Sequence, residues 1–164
     1  MSIIELNYQS ADQLKDDFVD AYLQIWNHPD NLKYLSFTGQ LLTRDMVRGW
    51  VQGLNEHSDI RYHLQVIDGS IVGISVIRLN RLSGCELVGV GLRPEWKGQS
   101  LGSQLIELAI QVARDNRYQV LETVVYADNA VMMIATIKKG FQPVEVIPEK
   151  RYDGMNLVRL RKYL

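Results

Sequence analysis

The stretch Leu92 to Ser103, reading Leu-Arg-Pro-Glu-Trp-Lys-Gly-Gln-Ser-Leu-Gly-Ser, limits what this chain can become more than any other. An apolar run, Leu87 to Leu92, enters it, and a segment with helical period, Leu101 to Arg114, leaves it. Strand, tight loop and helix start is a layout that grips phosphate. The first amides of a helix have no partner within it, and its dipole is positive at that end. Small residues such as Gly98, Ser100 and Gly102 let a diphosphate approach the backbone. Lys97 and Arg93 add positive charge. Two phosphate motifs are excluded. The P-loop pattern needs a lysine after its last glycine, and none follows Gly102. The dinucleotide pattern G-x-G-x-x-G is not supplied by Gly98-Gln99-Ser100-Leu101-Gly102.

A length of 164 residues fits one domain over 1–164 with a real core. A net charge of -1 argues against a general nucleic-acid binder. The lone cysteine, Cys85, excludes an internal disulfide and a cysteine-rich zinc site. No metal is expected, because His28, His57 and His63 have no ligand spacing. The start of the chain lacks the basic and apolar regions of a signal peptide, and no apolar run could span a membrane. A cytoplasmic protein without nucleic-acid or membrane partners is expected, as monomer or homodimer.

Taken in order, Ile3 to Tyr8 alternates as a strand does. Ser10 is a plausible cap for a helix from Ala11 to about Trp26, ended by His28-Pro29-Asp30-Asn31. The span to Leu42 shows no period. Thr43 starts a second helix with an apolar stripe of Met46, Val47, Trp50, Val51 and Leu54. Arg61 to Ile67 and Ile71 to Leu79 are two strands joined by Asp68-Gly69, a hairpin signal. Cys85 to Leu92 is the strand feeding the loop. After the helix comes a strand from Val120 to Tyr126, then a helix capped at Asp128-Asn129 and stopped by Gly140. Strands near Phe141 to Ile147 and from Asn156 to Leu164 finish the chain. The order is β-α-α-β-β-β-α-β-α-β-β: seven strands and four helices, an α/β chain in the broad sense, or α+β.

Lys97-Gly98-Gln99-Ser100-Leu101-Gly102 resembles motif A of the GNAT superfamily of acyl-CoA-dependent N-acyltransferases, Q/R-x-x-G-x-G/A. Lysine replaces the first residue and Ser100 the first glycine of the pair. The element order is similar too, as is the tail Asn129…Lys138-Lys139-Gly140-Phe141, which many members write N-x-x-A-x-x-L-Y-x-K-x-G-F. Met132, Ala135 and Thr136 depart from that pattern at Ala, Leu and Tyr. The likeness is specific from about Ile60 to Phe141 and rests on element order alone over residues 1–59. It implies a mixed central sheet of about seven strands flanked by about four helices. It also implies acetyl (acyl) transfer from acetyl-CoA to a primary amine by direct attack in a ternary complex. The alternative is a GNAT-like domain that binds acyl-CoA as a sensor or scaffold.

Acyl transfer to an amine needs a neutral amine, a donor for the oxyanion and a proton for the departing thiolate. Glu86 is the leading base candidate: an ideal strand puts it on one face with Val88, Val90 and Leu92, though Gly89 and Gly91 invite a bulge that changes the parity. The other reading is a strand glutamate paired with a basic neighbour. The resemblance implies that the backbone of Val90, Gly91 and Leu92 meets the acyl carbonyl and pantetheine arm. Gly89 and Gly91 either leave room for that ligand or relieve crowding inside the sheet. The resemblance also has Lys97, Gly98, Gln99, Ser100, Leu101, Gly102 and Ser103 holding the diphosphate, while Asn129 touches the cofactor, caps its helix, or both. With Thr136 at the usual tyrosine position, Tyr126 or water is left to protonate the thiolate. Cys85 is expected to be a buried thiol. Tyr34 and Phe37, in the aperiodic span Asn27 to Leu42, are expected to wall the pocket of a small-molecule or peptide amine; for Trp26 and Trp50 a core role is the stronger reading.

Overall fold

The structure is a computed structural model that describes residues 1–8, 11–54 and 56–164. Among these, seven strands form one mixed sheet: β1 (Ser2–Asn7), β2 (Ser58–Ile67), β3 (Ser70–Asn80), β4 (Gly84–Leu92), β5 (Val120–Tyr126), β6 (Gln142–Ile147) and β7 (Leu157–Tyr163). Their spatial order is β1-β2-β3-β4-β5-β7-β6. Only β4 and β5 run parallel; every other neighbour pair is antiparallel. The parallel pair needs a crossover, and α4 (Leu101–Asp115) supplies it. The helices α1 (Asp16–Trp26), α2 (Pro29–Leu35), α3 (Arg44–Gln52) and α5 (Ala130–Lys138) complete the chain.

The sheet separates two cores. On one face Phe18, Tyr22, Ile25 and Trp26 of α1 and Val47 and Val51 of α3 pack on Tyr62, Leu64, Ile74 and Val76. On the other, Ile106, Ala109, Ile110 and Ala113 of α4 pack on Ile77, Cys85, Leu87, Leu121, Val125 and Leu160. Helical period in α4 and the period-2 pattern of the strands put these residues together. Each fully buried Ile or Leu contributes roughly 1.5–3 kcal/mol.

Local chemistry explains the boundaries. At the β2–β3 turn, Asp68 and Gly69 have φ of 50° and 77°, the left-handed pair that a two-residue hairpin requires. Thr43 caps α3, its hydroxyl accepting from the Met46 amide at 3.3 Å. Asn129 caps α5 through the Met132 amide at 3.2 Å. That helix closes with Gly140 at φ 87°. The Phe141 amide donates to the Thr136 carbonyl and the Gly140 amide to Ile137, the paired bonds of a glycine-terminated helix.

Three expectations change. Five α-helices are present among the described residues rather than about four, because His28 and Pro29 do not merely end α1. Proline suits the first turn of a new helix, and the His28 ring accepts from the Asp30 amide at 3.2 Å. The long first helix is instead a short 3-10 turn, Ala11–Gln13, followed by α1 from Asp16; the cap expected at Ser10 lies outside the described residues. The parity of β4 also breaks. Val76 pairs with Gly89 and Ile77 with Leu87, so Val88 is bulged. Cys85 and Leu87 face α4, and so do Val90 and Leu92. Glu86 therefore does not share a face with Val90 and Leu92.

Candidate functional site

The bulge at Val88 sets the site. Parallel pairing of β4 and β5 covers only Cys85–Leu121, Glu86–Glu122 and Leu87–Thr123. Bulging bends and twists a strand, and beyond Leu87 the two strands are no longer paired. From Val88 to Leu92, β4 thus presents a backbone edge towards β5 that can bond an extended ligand, except at the Leu92 carbonyl, which accepts from the Asn31 side chain at 2.8 Å. Thr123 closes the crotch of the V, its hydroxyl donating to the Leu87 carbonyl at 2.9 Å.

At the open end of β4 lies the start of α4. The loop turns through Gly98 at φ 80° and Ser100 at φ 62°. The first bond into the helix is Gln104 N–H to the Ser100 carbonyl at 3.1 Å, so the amides of Leu101, Gly102 and Ser103 precede the ladder and point out of the helix end. Ser100 is the cap residue, yet its hydroxyl caps nothing. A Cβ added at Gly102 would lie 3.6 Å from the Leu92 side chain, an ordinary contact. Folding alone does not require glycine there. Buried Gln65 holds the helix start to the sheet, its amide donating to the Leu101 carbonyl at 3.1 Å. Lys97, Gly98 and Gln99 are exposed. Arg93 is spent elsewhere: its guanidinium donates to the Ile71 carbonyl at 2.8 Å and to Gln24 at 3.0 Å, so the positive charge expected from it does not face the loop.

Gly89 and Gly91 leave room, but for a helix and not for a ligand. A Cβ on Gly91 would fall 2.6 Å from Ile25 and 2.8 Å from Trp26, and one on Gly89 would fall 3.2 Å from Trp26. These glycines seat α1.

On the α1 face, below the point where β4 and β5 part, a cleft of about 630 Å³ opens. Tyr34 and Phe37 line it, as do Tyr22, Trp26, Trp50, Val88, Val124 and Tyr126. Tyr22 stacks on Trp26 at 4.2 Å and meets Trp50 edge-on at 6.2 Å; Phe37 meets Tyr126 edge-on at 6.1 Å. Trp26 is core as well as wall, whereas Trp50 is 44% exposed. One charged side chain, Arg78, lines the cleft among the described residues. Sequence reasoning missed Arg78, Val88 and Val124. Arg78 carried a signal, being the sole charge in the apolar strand Ile71 to Leu79. Val88 and Val124 had none, because the bulge and the splay decide their roles.

The profile of the acetyltransferase (GNAT) family matches residues 11–141. The chain belongs to this family. No curated protein matches the chain. Among solved structures, it is similar to a ribosomal-protein-alanine N-acetyltransferase from Brucella melitensis, with 17% identity, full coverage of both chains and a TM-score of 0.79. An N-acetyltransferase from Staphylococcus aureus Mu50 is 18% identical, with 99% of each chain covered and a TM-score of 0.77. The Salmonella typhimurium acetyltransferase yncA, solved with its cofactor acetyl-CoA, is 16% identical; 100% of this chain and 95% of that one are covered, at a TM-score of 0.73. At these identities the likeness speaks for the fold. Family and fold together support acyl transfer from acetyl-CoA.

Within this GNAT domain the expected catalytic groups are placed as follows. Glu86 forms an ion pair with Arg78, directly opposite in the β3–β4 register. Its carboxylate is half-buried, on the cleft face of the sheet but behind Arg78. Tyr126 lines the cleft; its hydroxyl donates to the Ser36 carbonyl at 2.9 Å, and burial pushes its phenol up to about 12. Thr136 is fully buried, and its hydroxyl is bonded to the Met132 and Met133 carbonyls at 2.9 and 3.0 Å. It supplies no acid. Cys85 is buried and its thiol is pushed up to about 12 by burial, so it is no nucleophile. His63 pairs with Glu5 at 2.9 Å and His28 caps α2; both are structural.

Proposed function

We propose that this chain is an acetyl-CoA-dependent N-acetyltransferase acting on a primary amine by direct attack in a ternary complex, in the cytoplasm. One observation supports this reading above the rest: the β4–β5 splay lies between the free amides of α4 and an aromatic cleft. A ligand with a diphosphate at one end and a reactive acyl group at the other matches that run. The amides of Leu101, Gly102 and Ser103 bind the diphosphate, with Lys97 and the Ser100 hydroxyl beside them. Gly98 and Gln99 shape the turn. The β4 edge at Val90, Gly91 and Leu92 orients the extended arm. Asn129, already spent as a cap, orders the far side of the site by holding the start of α5. Bound acetyl-CoA supplies an activated thioester. The chain's own residues keep the amine facing the splay through Tyr34 and Phe37, with Trp26 as part of the apolar wall.

Glu86 is the base in this reading, taking the amine proton through water, since Arg78 occupies its direct approach. The proton for the sulfur comes from water. Tyr126 holds its own proton in the bond to Ser36 and at working pH keeps it. The buried, engaged hydroxyl of Thr136 favours one second reading: an acyl-CoA-binding sensor with inefficient transfer.

A thiol-release screen with acetyl-CoA and longer acyl-CoAs against diverse amines decides between them. Amine-dependent release is expected. Tight acyl-CoA binding with no release above the amine-free rate, for every amine, would leave the sensor.

A further inference from the structure

We infer that the acceptor is an apolar α-amino acid whose carboxylate is received by Arg78. The inference rests on the acetyltransferase reading and adds the substrate class. The cleft wall beyond the splay is made of Tyr22, Trp26, Trp50, Phe37 and Tyr126, and an apolar side chain of up to aromatic size gains most there. No Asp or Glu among the described residues lines the cleft. Two acids paired in register on β4 and β5 are engaged: Glu86 by Arg78, Glu122 by Arg159 at 3.2 Å and Arg161 at 2.5 Å. A polyamine or basic peptide would enter without a counter-charge.

Arg78 is the opposite case. It is 49% exposed in its side chain, and its bond to Glu86 runs through Nη2. Nε and Nη1 have no protein partner among the described residues. A guanidinium offers a planar fork that suits a carboxylate in two parallel bonds. Place along the strand agrees. Val76 faces the bulge at Gly89, and Arg78 lies two residues further on. That is about 7 Å at the usual strand rise, within reach of an arginine side chain. An α-amino acid has its amine and carboxylate on one carbon, so Arg78 holding the carboxylate leaves the amine at the splay and the side chain on the aromatic wall.

Trp26 and Trp50 line the cleft, so their emission reports its occupancy independently of turnover. The probes are N-acetyl-phenylalanine and N-acetyl-phenylalaninamide, titrated into CoA-saturated protein. The wild type should bind the acid at least tenfold more tightly than the amide. Arg78→Gln should erase that preference, and Arg78→Lys should keep part of it. Equal or better binding of the amide by the wild type would overturn the inference and point to peptide N-termini. So would a preference that persists in Arg78→Gln, or no binding of either probe. The two readings fail separately. Thiol release with spermidine or a lysine peptide and no binding of either probe sinks the amino-acid acceptor alone. Acid-selective binding with no thiol release from any amine sinks the transferase.

Discussion

Ser100 carries a left-handed backbone, φ 62°, at the cap of α4. A residue with a Cβ is disfavoured there by roughly 1–2 kcal/mol relative to glycine. The position could be matched to the family's glycine from spacing alone, but not the αL geometry that explains the glycine. Ser100→Gly should raise stability by about 1 kcal/mol, seen as a rise of a few degrees in Tm; an unchanged or lower Tm would mean that the hydroxyl offsets the strain. Glu86 is harder to read from sequence. Its type and distance before the loop were visible, but its partner is not: Arg78 faces it only through the antiparallel register. Glu86→Gln keeps the shape and removes the base, so turnover near neutral pH should fall roughly 10²–10⁴-fold with acetyl-CoA affinity unchanged. The deficit should shrink at high pH, where more amine is neutral. Full turnover at neutral pH would make Glu86 a strut for Arg78. Thr136→Tyr, by contrast, puts a ring into a fully buried site and would report packing before chemistry.

Among elements, β5 and α4 were legible nearly to their ends because their apolar period is uninterrupted. α2 was not. Seven residues give too short a window for a period, and Pro29, which can stop one helix, here starts the next. The loop between β6 and β7 was also silent, yet it braces Phe37 and Tyr126 of the cleft wall. Buried Arg151 pairs with Asp128 at 2.7 Å and Asp153 at 2.8 Å. Its guanidinium lies 4.9 Å from the Tyr126 ring centre, and the neighbouring Tyr152 amide donates to the Phe37 carbonyl at 2.9 Å. Arg151 holds the Asp153 carboxyl down at about 2 and lowers that of Asp128 as well. Depressed carboxylates stabilise the fold above their ordinary range near pH 4, and that stabilisation is lost as pH falls towards 2. The clasp is therefore constant across working pH. Arg151→Met removes the buried guanidinium from two partly exposed carboxylates, leaves Asp128 with Lys33 at 3.2 Å and Asp153 without its arginine, and should lower Tm by a few degrees. It should also raise the amine's KM. A Tm within a degree of wild type would show the clasp to be idle.

At the scale of the molecule, the sheet does two jobs. It divides two cores, and where β4 and β5 separate it lies between the open amides of α4 and the aromatic cleft. Strand number and the order of elements along the chain followed from alternation and turns, and the loop proposed to hold the cofactor was visible as a motif, whereas the sheet's spatial order was not legible. The aromatic cleft proposed for the acceptor was not legible either, because its walls come from α1, α2, α3 and five strands that only the folded sheet assembles. The central claim is that acetyl-CoA lies along that splay with its diphosphate on α4. Calorimetry with acetyl-CoA on the wild type, Gly102→Ala and Gly102→Asp tests it most directly. The site has room for a Cβ, so both variants should fold, as circular dichroism can verify. The wild type should bind, Gly102→Ala should bind more weakly, and Gly102→Asp, with a carboxylate at the free amides, should show no measurable binding. A folded Gly102→Asp with wild-type affinity would contradict the account.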